Sequence, residues 1–334
     1  MIDLHIHLAR LPHKEQLTQL LLDRNYDFIA IACEPWEWKE VSLLKKEFSS
    51  GLKPFKAAYG IHPMIATQAT DDMFTKLRAI VKEDKRAMVG EAGIDKRYPG
   101  YEDGTQDRVF LEQAKLALEL QRDLQIHCVG DYTRVLRLLK EAGYESDALT
   151  DRAQDPQSNR KLSRPIFHRF GGNLSVVKKA LPYGALFSLH TDSFRKKSTA
   201  AAIPLIPESN VFFETDADET FMRGNSATAN ANNVTQSNAK DPVTSTATVD
   251  PGTGSGVTSE SAAGVTSESA ESDDNVFLSN AKGPVTSTAT VDPGTGSGVT
   301  DKSAAGVTFS PEEIFAELES RLESVRTAYA KCRE

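Results

Sequence analysis

Two histidines two residues apart, His5 and His7, sit in the segment Ile2-Asp3-Leu4-His5-Ile6-His7. Read as a strand, the segment alternates: Ile2, Leu4 and Ile6 face one way, and Asp3, His5 and His7 the other. Two imidazoles then share one face at a strand end. Taken alone, such a pair is equally well two solvated histidines on an edge. The pair is not alone. Six of the seven histidines (His5, His7, His62, His127, His168, His190) close short apolar runs, and only His13 lies elsewhere. Carboxylates stand at comparable places: Glu34, Glu91 with Asp95, and Glu214 with Asp216. Imidazole nitrogen with carboxylate oxygen is the ligand set of Zn, Mn, Fe or Ni, and it can host Mg. One strand-end histidine ordinarily packs or makes a hydrogen bond. Four or more, with two carboxylates on one face, point to a metal site.

The elements that would position these groups alternate regularly. Apolar runs rich in β-branched and aromatic residues predict strands at 2–7, 28–33, 55–61, 87–93, 124–129, 165–170, 184–189 and 211–215. Helical periodicity predicts helices near 13–25, 37–49, 70–84, 107–122, 131–143, 173–182, 193–202 and 310–330. The last has a marked start: Ser310 as N-cap, Pro311 at the first helical position and Glu313 closing a capping box. Eight strand–helix units predict an α/β chain folded as a TIM (β/α)8 barrel, which takes ~250 residues. An open doubly wound sheet is the competitor, but no G-x-G-x-x-G turn follows the first strand. In a closed barrel the strand ends converge on one mouth.

Residues 224–308 differ in kind. They are rich in Ser, Thr, Ala, Gly, Val, Asn and Pro, and SNAK-x-PVTSTATVDPGTGSGVT occurs from Ser237 and again from Ser279. Such a composition buries too little apolar area to offset the cost of ordering its backbone. The expectation is a mostly disordered insertion after strand 8, leaving 1–223 and 309–334 as the barrel domain. The segment carries −6 of the formal net charge of −8, so the remaining 249 residues are near neutral. A near-neutral body has no global electrostatic footprint for nucleic acid, although a local basic site is compatible with it. The three cysteines, Cys33, Cys128 and Cys332, suggest neither a disulfide framework nor a zinc knuckle; Cys33 and Cys128 read as buried free thiols within strands. The first strand begins at residue 2 and no apolar run reaches the ~18 residues of a membrane span. The expectation is a cytoplasmic protein with no membrane association, and no protein partner can be inferred.

Six motifs in order give the sequence a likeness. They are D-L-H-I-H (3–7), G-I-H-P (60–63), G-E-A-G-I-D (90–95), I-H (126–127), F-H-R-F-G-G (167–172) and E-T-D-A (214–217), with the helix F-L-E-Q-A-K-L-A-L-E (110–119) between. From residue 2 to about 220 the chain resembles the TatD-type metal-dependent hydrolases of the amidohydrolase-like barrels. The resemblance implies two divalent metal ions (Mg2+, Mn2+ or Zn2+). His5, His7 and Asp216 would hold the first, His127 and His168 the second, and Glu91 both. Glu91 and Asp216 would be the catalytic carboxylates, Asp216 orienting the attacking water or taking its proton. The implied substrate is DNA or another phosphodiester. A barrel of the same superfamily cleaving a carboxylic ester, lactone or amide is the alternative; a scaffold acting through its repeats is the non-enzymatic one.

The chain departs from the family pattern in places. Cys128-Val129 follow His127 where the family often has Ser-Arg, a common phosphate contact. Arg169-Phe170-Gly171 stand where Cys-Phe-Ser-Gly is usual, and Lys96-Arg97-Tyr98 replace aromatic residues. Arg169 is the candidate to supply the missing charge, and His62 a candidate substrate contact. His190 reads as structural. Trp36 and Trp38 read as loop packing, with base stacking the alternative. Glu34 is a candidate to orient a ligand histidine.

Overall fold

Eight parallel strands form in chain order: β1 (Ile2–Ile6), β2 (Asp27–Ala32), β3 (Lys56–Tyr59), β4 (Met88–Asp95), β5 (Leu124–Val129), β6 (Pro165–Phe167), β7 (Leu186–Leu189) and β8 (Val211–Phe213). Each pairs with the next and β8 pairs with β1, closing a barrel. The structure is a computed structural model and describes residues 2–48, 55–144, 163–222 and 309–333. The repeat segment 224–308, expected to be disordered, lies outside the described residues. Around the barrel run α1 (Lys14–Asp23), α2 (Pro35–Glu47), α3 (Asp71–Glu83), α4 (Thr105–Leu120), α5 (Tyr132–Ala142), α6 (Leu174–Ala180), α7 (Lys197–Ala200) and α8 (Pro311–Arg333). Among the described residues no helix is long and apolar enough to cross a membrane.

The start of α8 follows the expected capping box: Ser310 Oγ accepts from the Glu313 N–H (3.2 Å), and Glu313 Oε2 accepts from the Ser310 N–H (2.8 Å). The helix expected at 193–202 is instead a 3-10 turn at Thr191–Phe194, the four-residue α7 and a second 3-10 turn at Ile203–Leu205. His190 Nδ1 accepts from the Asp192 N–H (3.2 Å) and the Ser193 hydroxyl accepts from the His190 N–H (3.1 Å), which fixes the first turn, and Pro204 and Pro207 cut off further helix.

The core has two parts. Residues of the strands and their flanking helices form one cluster. Leu4, Ile29, Ile31, Ala58, Met88, Ile166 and Leu186 form a second made from strands, the barrel interior, with Cys33 at its edge. This division corrects the alternation expected for β1. Leu4 is interior, yet Ile6 packs in the outer cluster. The register explains the switch. Asp3 pairs with Phe28 and Ile6 with Ala30, three steps on β1 against two on β2. The extra residue is a bulge, which turns His5 inward after an inward Leu4. β4 has the same step: Val89 pairs with Leu124 and Ala92 with Ile126. Its bulge holds Gly90 and Glu91.

Asp3 fastens the seam between β1 and β8. Oδ1 accepts from the Thr215 N–H (3.0 Å) and the His5 N–H (3.3 Å); Oδ2 accepts from the Thr215 hydroxyl (2.7 Å) and the Tyr26 hydroxyl (3.2 Å). Burial pushes this carboxyl up to about 7, against hydrogen bonds from Thr215 and His5. The unfolded carboxyl titrates near 3.8. Between these values the folded chain holds a proton that the unfolded chain has released. The stability Asp3 contributes is therefore full below about pH 4 and is lost as pH rises to about 7. Asp3→Asn cannot ionise and will lose this slope. Urea unfolding in EDTA will show the variant gaining on wild type as pH rises from about 4 to 7, with a constant difference above. A difference that does not change across this window would refute the assignment.

Candidate metal centre

Glu91 is buried at the β4 bulge, and the groups named from sequence gather on its two oxygens. Oε1 lies 2.5 Å from His127 Nδ1, 2.8 Å from His168 Nε2 and 3.6 Å from His62 Nε2. Oε2 lies 3.3 Å from His5 Nε2 and 3.7 Å from His7 Nε2. Asp216 Oδ1 closes the second side, 3.7 Å from His5 Nε2 and 3.6 Å from His7 Nε2. His5, His7, Glu91, His127, His168 and Asp216 thus come together, with His62 beside them. Cys33, expected to be a buried free thiol, also faces in; its Sγ lies 3.3 Å from Glu91 Oε2.

Close packing makes this convergence possible. A Cβ on Gly93 would lie 1.8 Å from the His127 carbonyl oxygen, so only glycine lets β4 pass β5 at that point. Gly90 takes a φ of +124°, which an L side chain rarely adopts. Two glutamines of α4 hold the neighbouring backbone. Gln113 accepts from the Ile61 N–H (2.7 Å) and donates to the Ile61 carbonyl (3.0 Å), bracing the loop that bears His62. Gln106 does the same for Asp95, at 2.8 and 3.0 Å.

Further polar groups orient the imidazoles from behind. Asp95 Oδ2 lies 2.9 Å from His127 Nε2 and also pairs with Arg97 (2.6 Å), leaving His127 Nδ1 for Glu91. Glu214 Oε1 lies 3.3 Å from His168 Nδ1, and Gln125 Oε1 lies 3.5 Å from His5 Nδ1. Gln125 also donates to the Leu4 carbonyl at the β1 bulge (3.0 Å). Sequence reasoning named Asp95 and Glu214 as members of motifs without giving them these roles; their places four residues after Glu91 and one after β8 were the available signal.

The charges show what the centre needs. Burial alone would raise the Glu91 carboxyl, yet the surrounding imidazoles, His168 foremost, hold it well below its ordinary range. Burial would lower His168, but Glu91 and Glu214 raise it well above 6.5. His62 is different: burial, with neighbouring imidazoles, lowers it to about 3 despite Glu91. Its Nδ1 accepts from the Met64 N–H (3.1 Å), so the neutral ring turns Nε2 toward Glu91. Carboxylates drawn down and imidazoles drawn up mark a buried anionic cluster that takes positive charge at its centre. His5 Nε2 is buried without a hydrogen-bond partner, a nitrogen lone pair aimed at that centre. Among the described residues, four triads of metal-ligating side chains have donor atoms within 4.8 Å of one another, and all four draw on this cluster. The donor set fits divalent cations.

The model of the TatD related DNase family matches residues 2–241. The chain belongs to this family. A 3'-5' ssDNA/RNA exonuclease TatD from Cronobacter sakazakii is 28% identical over 161 residues, 47% of this chain and 55% of that protein. A protein named as an uncharacterized metal-dependent hydrolase TatD, from Mycobacterium tuberculosis, is 29% identical over 168 residues, 48% of this chain and 57% of its own. The chain thus spans about half the length of these relatives. The crystal structure of a TatD homolog from Escherichia coli K12 superposes with a TM-score of 0.53 at 21% identity, covering 65% of this chain and 78% of that one; it shares the fold.

The points at which the chain departs from the TatD pattern surround the mouth. An open cavity of about 350 Å3 lies over Glu91, and Arg10, Arg97 and Arg169 line it with Cys128 and Val129. Arg169 sits at φ +43°, its N–H donated to Glu214 Oε1 (2.5 Å), its guanidinium on Asp216 Oδ2 (2.7 Å) and on Asp192. The other sequence candidates stand elsewhere. His190 caps the 191–194 turn. Glu34 pairs with Arg10 (2.8 Å) at the start of α2. Trp38 is buried and donates to the Gly60 carbonyl (2.9 Å), whereas Trp36 is exposed beneath Arg10. Removing Asp95 will release the His127 ring: Asp95→Ala will bind divalent metal about 10–100-fold more weakly by calorimetry, and Asp95→Asn, which keeps an acceptor, will lose less. Equal affinity in all three proteins would remove Asp95 from this role.

Proposed function

We propose that the chain is a divalent-metal-dependent phosphodiesterase acting on nucleic acid, most directly single-stranded DNA. The observation that carries this reading is the division of Glu91: Oε1 faces His127 and His168, and Oε2 faces His5 and His7. One carboxylate between two sets of nitrogen donors suits two ions, His5, His7 and Asp216 holding one, His127 and His168 the other, and Glu91 both. Such a pair, as Mg2+, Mn2+ or Zn2+, would acidify a water and neutralise charge on the attacking and leaving oxygens.

The chain's own groups do the rest. Arg169 pins Asp216 by Oδ2, which leaves Oδ1 directed at the centre to orient the attacking water and take its proton. His62 presents Nε2 from the cavity wall, placed to donate to a phosphate oxygen. Arg10, Arg97 and Arg169 line the mouth, each paired with carboxylates, and their guanidinium edges supply N–H donors of the kind that hold a phosphate backbone. The named activity of the Cronobacter relative supports the same substrate class.

The test offers the purified full chain labelled single-stranded DNA and bis-p-nitrophenyl phosphate beside carboxylic esters, with each of Mg2+, Mn2+ and Zn2+. Phosphodiester turnover that EDTA abolishes is expected. Glu91→Ala will fall to the background of the assay while its circular dichroism stays that of a folded barrel; His190→Ala will lose far less. Ester turnover with no phosphodiester turnover under any metal would overturn the reading.

A further inference from the structure

Cys33 is the one group at the centre whose chemistry the proposed reaction does not use. It follows β2, is 1% exposed and is free. Its Sγ lies 3.3 Å from Glu91 Oε2 and 3.9 Å from His7 Nδ1, and His7, Cys33 and Glu91 form one of the triads with donor atoms within 4.8 Å of each other. Tetrahedral zinc with its ordinary bond lengths sets a sulfur and an oxygen donor about 3.5 Å apart, in the range of the 3.3 Å between Sγ and Glu91 Oε2. The unpartnered, fully buried His5 Nε2 lies 3.3 Å from that same Glu91 oxygen, so a second, independent donor points at the place Sγ faces.

The backbone at Cys33 is clamped more firmly than packing requires. Its N–H donates to Glu37 Oε2 (2.5 Å), and its carbonyl accepts from the His62 N–H (3.2 Å). Glu37 is itself a buried carboxylate, held by Arg10 Nε (2.5 Å). The arrangement holds the backbone from which Sγ reaches Glu91. The other cysteines lack this setting: Cys128 lines the cavity from β5, and Cys332 donates to the Ala200 carbonyl.

We propose that Cys33 is a metal ligand on the His5–His7 side of the centre, and that its sulfur makes this side prefer thiophilic divalent ions such as Zn2+, Cd2+ or Co2+ over Mg2+. On coordination the thiol proton, now donated to Glu91 Oε2, leaves to solvent and the sulfur lone pair bonds the ion. Soft thiolate donors favour such ions, whereas carboxylate and water suit Mg2+. The proposal rests on the metal-centre reading and is independent of the substrate.

Cobalt is the probe. The full chain, stripped with EDTA and reduced under argon, is titrated with Co2+ and followed by absorption. Visible ligand-field bands with a near-ultraviolet sulfur-to-cobalt charge-transfer band are expected. Cys33→Ser and Cys33→Ala will keep the visible bands and lose the charge-transfer band; Cys128→Ser will keep both. Calorimetry will show Cys33→Ser binding Cd2+ at least about tenfold more weakly, with Mg2+ affinity unchanged. Visible bands without charge transfer in wild type, or charge transfer that survives in both Cys33 variants, would overturn the proposal and leave the metal centre standing. Absence of both spectra would overturn the centre and the proposal together. Turnover enters neither judgement.

Discussion

A single buried carboxylate organises this molecule. Glu91 lies within 4 Å of five imidazoles and a thiol, on a buried strand of the barrel wall. A charge in that position is tolerable only if opposite charge meets it, because the isolated ion costs several kcal/mol of lost solvation. Everything around it can be read as meeting that demand. Imidazoles approach from four strands or strand ends. Behind them stand Asp95 and Glu214, which direct the ring nitrogens inward. Arg97 pairs with Asp95 and Arg169 with Asp216, and each offsets part of the negative charge gathered there. The barrel provides strand ends that can be packed this closely, and the glycines of β4 let the backbones approach.

Much of this was legible in the residues themselves. Apolar runs rich in β-branched and aromatic residues marked all eight strands, and the polar residues at their ends marked the mouth. The start of the last helix was equally plain, in the Ser310–Glu313 pair. What escaped was set by register and by context. Period-two reasoning put Ile6 with Leu4, whereas the β1 bulge separates them; an extra residue in a ladder leaves no mark in hydrophobicity. The stretch after β7 carried helical periodicity but closed into short turns, because His190 caps the first turn and two prolines follow.

The metal-facing groups divided along the same line. Histidines advertise themselves by rarity. Asp95 and Glu214 do not, since a carboxylate near a strand end is common and its role depends on which ring nitrogen it meets across the barrel. Cys33 read as an apolar residue because it ends an apolar run. Only the chain fold brings its sulfur to Glu91, 58 positions away.

The two glutamines of α4 have a consequence of their own. Gln106 and Gln113 are seven residues apart, close to two turns, so both leave the same face of one helix and grip the ends of β3 and β4. The helix works as a ruler laid against the mouth: the spacing of its turns fixes the relative heights of the His62 loop and the Asp95 loop. One residue added between the glutamines would rotate one against the other by about 100° and free one of the two loops. The geometry of the candidate metal centre therefore depends on the length of a helix that contributes no side chain to it.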